Sequence, residues 1–471
     1  MVTRRRFLMT AAASTPAFAL KAQQPPAPVP ATTPPSCEET LPAPILALKD
    51  RRGDIKPISA DERESRLDLA RELMKQYAID AIVITTGGSL RYFTGAQWGQ
   101  SERFFAWVLP QSAAPFIVCP QLERDRLADL LPEFPEHEST LTYLWQDNED
   151  PFVIFARVLA DMSLTSATFG LDEHVAFTFA NALMKTCTSA KFVSATPVTA
   201  GCRSLKSPAE IALMRLANQI TFDVYKAAFL SCGPGDTTAK MQHLIAKGYE
   251  RSGVEGGASC NTGIYSATPH GSEKAQVIRE SEIVMIDDGC QVEGYWSDIT
   301  RSFTYGAPTE LQRSLFETVL NAQSAALAAA HPGIEMRLVD AAARDVIVKA
   351  GYGPAYAYFT HRLGHGIGLE MHEWPYLNGA NTQKLALGMT FSDEPGIYLP
   401  GKFGIRLEDD MVITDKGAEF FTTQSPSLQD PFGIRALEAA PAGTATGSQD
   451  SSKPDAPKPA PDTQGATSQK P

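Results

Sequence analysis

The run IVMIDDGCQVEGYWSDITRSF, residues 283–303, decides how this chain is read. Four apolar residues lead into Asp287. Gly289 and the pair Glu293-Gly294 supply turn chemistry, and YWSDITRSF reads as a returning strand. A hairpin of this kind sets Asp287 beside Asp298. Two carboxylates that meet in a buried strand pair repel each other and lose hydration unless a cation compensates. A solvated turn position suits Asp288 instead, because along a strand its side chain points away from that of Asp287.

A second acidic pair repeats the pattern. In GMTFSDEPGIYLPGKFGIRLEDDMVIT (388–414), Glu394 closes one apolar run and Glu408 interrupts another, with PG and LPGKFG offering the turn. Between the two acidic regions lies HRLGHGIGLEMHE (361–373), which holds three of the chain's 8 histidines. His361 and His365 would share a helix face, but Gly364, Gly366 and Gly368 make a continuous helix unfavourable, so a paired HxxxH site is not expected. Asp287, Asp298, Glu394, Glu408 and one histidine form an oxygen-dominated set of donors. Such a set suits two divalent ions, since a carboxylate can bridge both. Hard oxygen ligands favour Mn2+, and Co2+, Zn2+ or Fe2+ can bind the same groups.

The remaining sequence frames this core. The chain has 471 residues, 43% hydrophobic and 20% charged, which is globular composition with room for more than one domain. A net charge of -12 with no basic patch argues against a nucleic-acid partner. Residues 1–22 read as an export signal, and TRRRFL within them is similar to the twin-arginine motif. The expectation is a periplasmic or secreted protein that meets the twin-arginine export machinery and has no stable membrane insertion. Residues 23–50 read as a Pro-rich linker and tether, and residues 436–471 as a disordered tail. The 7 cysteines contain no CxxC pair, so a zinc–thiolate site is not expected, and an odd number leaves at least one free thiol.

Two folded blocks lie between the tails. From 55 to 203, helix and strand patterns alternate, as in an α/β domain. Ser59 and Glu62 form a capping box ahead of a helix with Leu67, Ala70, Met74 and Tyr77 on one face, and AIVIT (81–85) is a short buried strand. From 204 to 425, a second capping box at Ser207 and Glu210, with Pro208 at the first helical position, opens a long helix with Ile211, Met214, Ala217 and Thr221 on one face. Further helices are expected over MQHLIAKGYERSG, 313–330 and VDAAARDVIVKAG, among strand-like runs.

IDDG, GYWSDITRSF, HRLGHGIGLEMHEWP, SDEPGIY and GIRLEDD, in this order, resemble the pita-bread metallopeptidases. The first block, with SLRYFTG (89–95), is similar to the N-terminal domain of the Xaa-Pro aminopeptidase, prolidase and creatinase branch. The resemblance implies a creatinase-type α/β N-terminal domain followed by an α+β pita-bread catalytic domain. It implies Asp287, Asp298, His365, Glu394 and Glu408 as metal ligands. It implies catalytic or substrate-binding roles for His270, His361, His372, Glu394 and Arg406, and a homodimer. Asp288 and Asp393 depart from the pattern, where small or aliphatic residues are more frequent, and add acid near the site.

The activity implied is removal of the N-terminal residue from peptides with Pro at the second position, by a hydroxide bridging the two metals. The alternative is a prolidase acting on Xaa-Pro dipeptides. That reading needs a group to bind the free carboxylate, which sequence alone does not identify. A non-peptidase metal-dependent hydrolase or lyase on the same fold is a third reading.

Overall fold

Short apolar runs separated by amphipathic ones build the first block into a sheet covered by helices. The structure is a computed structural model and describes residues 40–434. The expectations for 1–22, for 436–471 and for the linker before residue 40 lie outside the described residues.

AIVI (Ala81–Ile84), AWVLP (Ala106–Pro110) and FIVCP (Phe116–Pro120) are fully buried strands. They lie within a six-stranded sheet ordered 141–145, 116–120, 106–110, 81–84, 168–171, 191–194. The Ala81–Ile84 strand pairs antiparallel with Ala106–Pro110 and parallel with Thr168–Leu171.

The helix Ala60–Tyr77 begins at Ser59, whose hydroxyl accepts the Glu62 N–H at 3.2 Å. The other half of the expected capping box does not form. The Glu62 carboxylate instead accepts from Arg66 at 2.8 Å and from the Ser207 hydroxyl at 2.7 Å, so it ties the two blocks together. Leu67, Ala70 and Met74 are buried as expected, whereas Tyr77 is exposed, in the last turn before Ala78 reverses the chain in a left-handed conformation. The second capping box, at Ser207 and Glu210, is complete, and the helix Pro208–Ser231 buries Met214, Ala217 and Thr221.

The end of the linker is not a free tether. Ala43–Leu46 is a short helix with Ile45 fully buried. Arg251 donates to the Leu46 carbonyl at 2.8 Å, and the Arg51 N–H donates to Ser252 at 2.9 Å. A single isoleucine in a Pro-rich run provides the apolar anchor that composition alone hides.

In the second block, helices Pro208–Ser231, Thr238–Ser252, Glu310–Ala329 and Met336–Lys349 accompany several small antiparallel sheets. The largest is five-stranded, ordered 373–377, 364–366, 390–393, 409–414, 417–420. One apolar cluster runs through both blocks, from Ile82 and Trp107 to Tyr225 and Ile286. Ion pairs reinforce the seam. Lys206 binds Glu373 at 2.5 Å, and Arg203 lies 3.4 Å from Glu373 and 3.3 Å from Glu370. No helix among the described residues is long and apolar enough to cross a membrane. The six described cysteines are all free.

Candidate metal centre

Asp287 ends the strand Ile283–Asp287, as its apolar run dictates, but Asp298 is not on the strand that returns. Cys290–Val292 and Tyr295–Trp296 form their own tight hairpin in a different sheet. The strand 283–287 pairs antiparallel with Ser259–Thr262 on one edge and with Arg301–Thr304 on the other, where Ile286 lies opposite Arg301. Asp298 lies in the unpaired stretch between them, held because its N–H donates to Asp410 at 2.9 Å. The two aspartates converge through this excursion rather than through one simple hairpin.

Asp288 also departs from expectation. Its φ of +92° turns the backbone out of strand geometry, and its side chain lines the same cavity as Asp287. It accepts the Ser259 N–H at 2.7 Å, and burial, reinforced by the Asp287 charge, raises its pKa to about 6.

Glu394 follows the strand Thr390–Asp393, and Glu408 lies between the strands Phe403–Arg406 and Asp409–Thr414. The expected hairpin forms, pairing Gly396–Leu399 with Phe403–Arg406. His365 lies on the strand Gly364–Gly366, not on a helix. Glycine is required on both sides of it. A Cβ on Gly364 would meet the Ser392 carbonyl at 2.0 Å, and one on Gly366 would meet the Glu373 carbonyl at 2.6 Å.

The groups assemble as three overlapping clusters whose donor atoms lie within 4.8 Å of one another: Asp287, Asp298, Glu408; His365, Glu394, Glu408; and Asp298, His365, His372. All five expected ligands are therefore brought together, and His372 stands beside them, its ring 4.0 Å from that of His365. They line a cavity of about 440 Å³ with His270, His361, Arg362, Arg406 and Asp288.

Arg406 is buried. It bonds Asp287, and it donates to the Tyr398 hydroxyl at 2.9 Å, the Pro269 carbonyl at 3.0 Å and the Thr300 hydroxyl at 3.0 Å. Thr300 in turn contacts Asp287 and lies 2.6 Å from Glu408. His361 is engaged at both nitrogens: Nδ1 with the Arg362 carbonyl and Nε2 with the Tyr398 hydroxyl, each at 2.8 Å. Burial, then Arg406, lowers its pKa to about 3, so the ring is neutral. A substrate contact by His361 must displace one of these bonds. His270 and His372 are exposed on the cavity wall and carry no hydrogen bond among the described residues.

Comparison with known proteins adds the lineage. Residues 66–205 match the Creatinase/Prolidase N-terminal domain, and residues 212–415 match metallopeptidase family M24. The chain is 35% identical over 357 residues to the probable dipeptidase PepE of Mycobacterium tuberculosis, covering 75% of this chain and 92% of that protein. This chain belongs to metallopeptidase family M24.

Other relatives extend the match. The M24 chain is 32% identical over 371 residues to the Xaa-Pro dipeptidase of Lactobacillus helveticus, covering 77% of this chain and 98% of the relative. The crystal structure of dipeptidase PepE from Mycobacterium ulcerans superimposes with a TM-score of 0.72 at 32% identity, covering 79% of this chain and 99% of the other. The creatinase-type N-terminal domain and the pita-bread catalytic domain are thus both present.

Family M24 enzymes use divalent metals, and the donor set in this chain fits them. The His365 Nδ1 bonds the Gly366 carbonyl at 3.1 Å, so Nδ1 carries the proton. Burial, then His372, holds the ring well below its ordinary pKa, so Nε2 presents a lone pair. That lone pair faces carboxylate oxygens of Asp298 at 3.6 Å and Glu394 at 3.5 Å. A lone pair opposed to two carboxylates is a metal ligand's arrangement, with the second ring nitrogen fixed by a carbonyl. The carboxyls agree. Burial and then neighbouring acids push Asp298 and Glu408 well above their ordinary pKa, and burial raises Glu394 to about 7. Burial also raises Asp287, but Arg406 and the Thr300 hydroxyl more than offset it, and that carboxyl lies below its ordinary value. Without a cation burial favours the protonated forms of Asp298, Glu408 and Glu394, while Asp287 is ionised beside Arg406; a bound cation favours the ionised form of all four.

Sequence reading did not single out Tyr398, Thr300, Asp410 or Arg362. All four lie inside the motifs that carried the resemblance, in SDEPGIY, SDITRSF, GIRLEDD and HRLGHG. The types of Tyr398, Thr300 and Asp410 gave no signal, because His361, Glu408 and Asp298, which engage them, lie 37, 108 and 112 positions away.

Proposed function

We propose that this M24 protein is an Xaa-Pro dipeptidase. Asp287, Asp298, His365, Glu394 and Glu408 hold two divalent ions, with Mn2+ preferred by the oxygen-dominated set. The observation that carries the dipeptide reading is that relatives named as dipeptidases match over almost their whole length. They favour the prolidase alternative over removal of a residue from longer peptides. The TRRRFL start supports export by the twin-arginine route.

Bound there, the ions would polarise the scissile carbonyl and acidify a water. The chain's own groups do the rest. Glu394 lines the cavity beside His365 and is suited by position to take a proton from that water and return it to the leaving imino nitrogen. Proline's nitrogen has no hydrogen, so the site must deliver one for the product to leave. His372 and His270 offer unengaged rings to the substrate, while Tyr398 and Arg406 orient His361. The acidic wall of Asp287, Asp288 and Asp298 attracts a free α-ammonium, which limits cleavage to the N-terminal residue.

The test is a peptide panel with Mn2+-loaded protein. Rapid hydrolysis of Leu-Pro, with slow hydrolysis of Leu-Ala and of Leu-Pro-Ala, is the expected result. Preference for Leu-Pro-Ala would return the longer-peptide reading.

A further inference from the structure

A dipeptide presents a carboxylate to a cavity walled by acids, and a nearby cation must neutralise it. Two arginines line this cavity. Arg406 is fully committed to Asp287, Tyr398, Pro269 and Thr300. Arg362 is not. Among the described residues it has no ion pair and no side-chain hydrogen bond; its guanidinium lies over the Tyr376 ring, 4.3 Å from the centroid. Other buried arginines of the second block are spent on partners: Arg301 on Asp409 and Arg344 on Asp340.

The backbone around Arg362 is built to be rigid. His361 Nδ1 bonds the Arg362 carbonyl at 2.8 Å, and the Leu363 N–H donates to Asp340 at 2.9 Å. Asp340 is itself held by Arg344, which also bonds the His361 carbonyl. Arg362 therefore stands at a fixed place, half-buried, three positions before His365 in sequence. Its side chain is stacked so that the planar fork of N–H groups remains free. Such a fork matches a carboxylate with two parallel hydrogen bonds.

We infer that Arg362 is the specificity-determining residue that receives the α-carboxylate of the substrate's C-terminal residue and so confines this site to dipeptides. The inference rests on the dipeptidase reading, and it supplies the carboxylate-binding group that reading requires. Tyr376 is then the platform that orients the guanidinium plane.

The experiment compares Leu-Pro with Leu-prolinamide, which has the same scissile bond and no carboxylate, on metal-loaded wild type, Arg362→Gln and Arg362→Lys. Gln keeps part of the stem over Tyr376, and Lys keeps the charge without the fork. Metal content and thermal unfolding of each variant are measured alongside. Wild type is expected to prefer the acid. The ratio of kcat/KM for acid over amide is expected to fall about a hundredfold in Arg362→Gln, with Arg362→Lys between. A variant that discriminates as well as wild type overturns the assignment to Arg362 and leaves the dipeptidase reading standing. A wild type that cleaves the amide as readily as the acid overturns that reading, and this assignment with it.

Discussion

Glu373 is the most informative single residue to remove. It lies one position after His372, it is almost completely buried, and it neutralises two buried cations: Lys206 at 2.5 Å and Arg203 at 3.4 Å. The space around it is full. A Cβ on Gly368 would meet the Glu373 carboxylate at 2.5 Å and the Lys206 stem at 2.8 Å, so the pair is packed tightly against the strand backbone. Glu373→Ala leaves Lys206 without an ion-pair partner among the described residues. Breaking a buried pair this way costs about 3–5 kcal/mol, a large part of a typical margin of about 5–15 kcal/mol. Glu373→Gln keeps an acceptor and should cost less. Lys206→Met should also cost less, because Glu373 retains Arg203. Urea unfolding at matched metal content gives the ranking, and hydrogen exchange localises it. The strands 364–366 and 373–377 should open before the helix Glu310–Ala329. A Glu373→Ala variant within about 1 kcal/mol of wild type, or one more stable than Lys206→Met, would refute the reasoning.

Further outcomes follow from the site and the seam. Asp298→Ala should lose metal and activity together, as read by elemental analysis and dipeptide hydrolysis. His372→Ala should retain metal while kcat falls roughly 100-fold; loss of the metal instead would make His372 a ligand, as its cluster with Asp298 and His365 permits. Metal binding near pH 6 should release protons, because Asp298, Glu408 and Glu394 hold theirs above the ordinary range in the metal-free site; calorimetry in buffers of different ionisation enthalpy counts them. The hydrogen bond to Asp172, then the Glu370 charge, raises the His174 pKa above 6.5, against burial. That contribution is fully present below the unfolded pKa and disappears as pH rises through the folded one. The stability gap between wild type and His174→Gln should therefore be wide at about pH 5.5 and narrow at about pH 8.5.

Much of the site was legible because each proposed ligand sits in a short motif whose residue types conflict with an ordinary core. Acids at the ends of apolar runs, and a histidine between glycines, needed no long-range information. The helix starts at Ser59 and Ser207 were legible for the same reason, although Glu62 was diverted by Arg66 and Ser207. What stayed hidden depends on partners distant in sequence. Asp298 is placed by Asp410, His361 is immobilised by Tyr398, and Glu373 is bound by Arg203 and Lys206. Asp288 looked like a turn residue facing solvent because strand alternation was assumed through a position where the backbone leaves the strand at φ +92°.

The central claim is that five side chains from two acidic regions and one glycine-flanked histidine hold a two-metal peptidase centre. Titration of metal-stripped protein with Mn2+, following bound metal and Leu-Pro hydrolysis in the same samples, tests it most directly. The account predicts two equivalents bound, activity that rises with occupancy, and loss of both in Asp298→Ala. Hydrolysis by fully stripped protein, or two bound equivalents with no hydrolysis of any dipeptide, would contradict it.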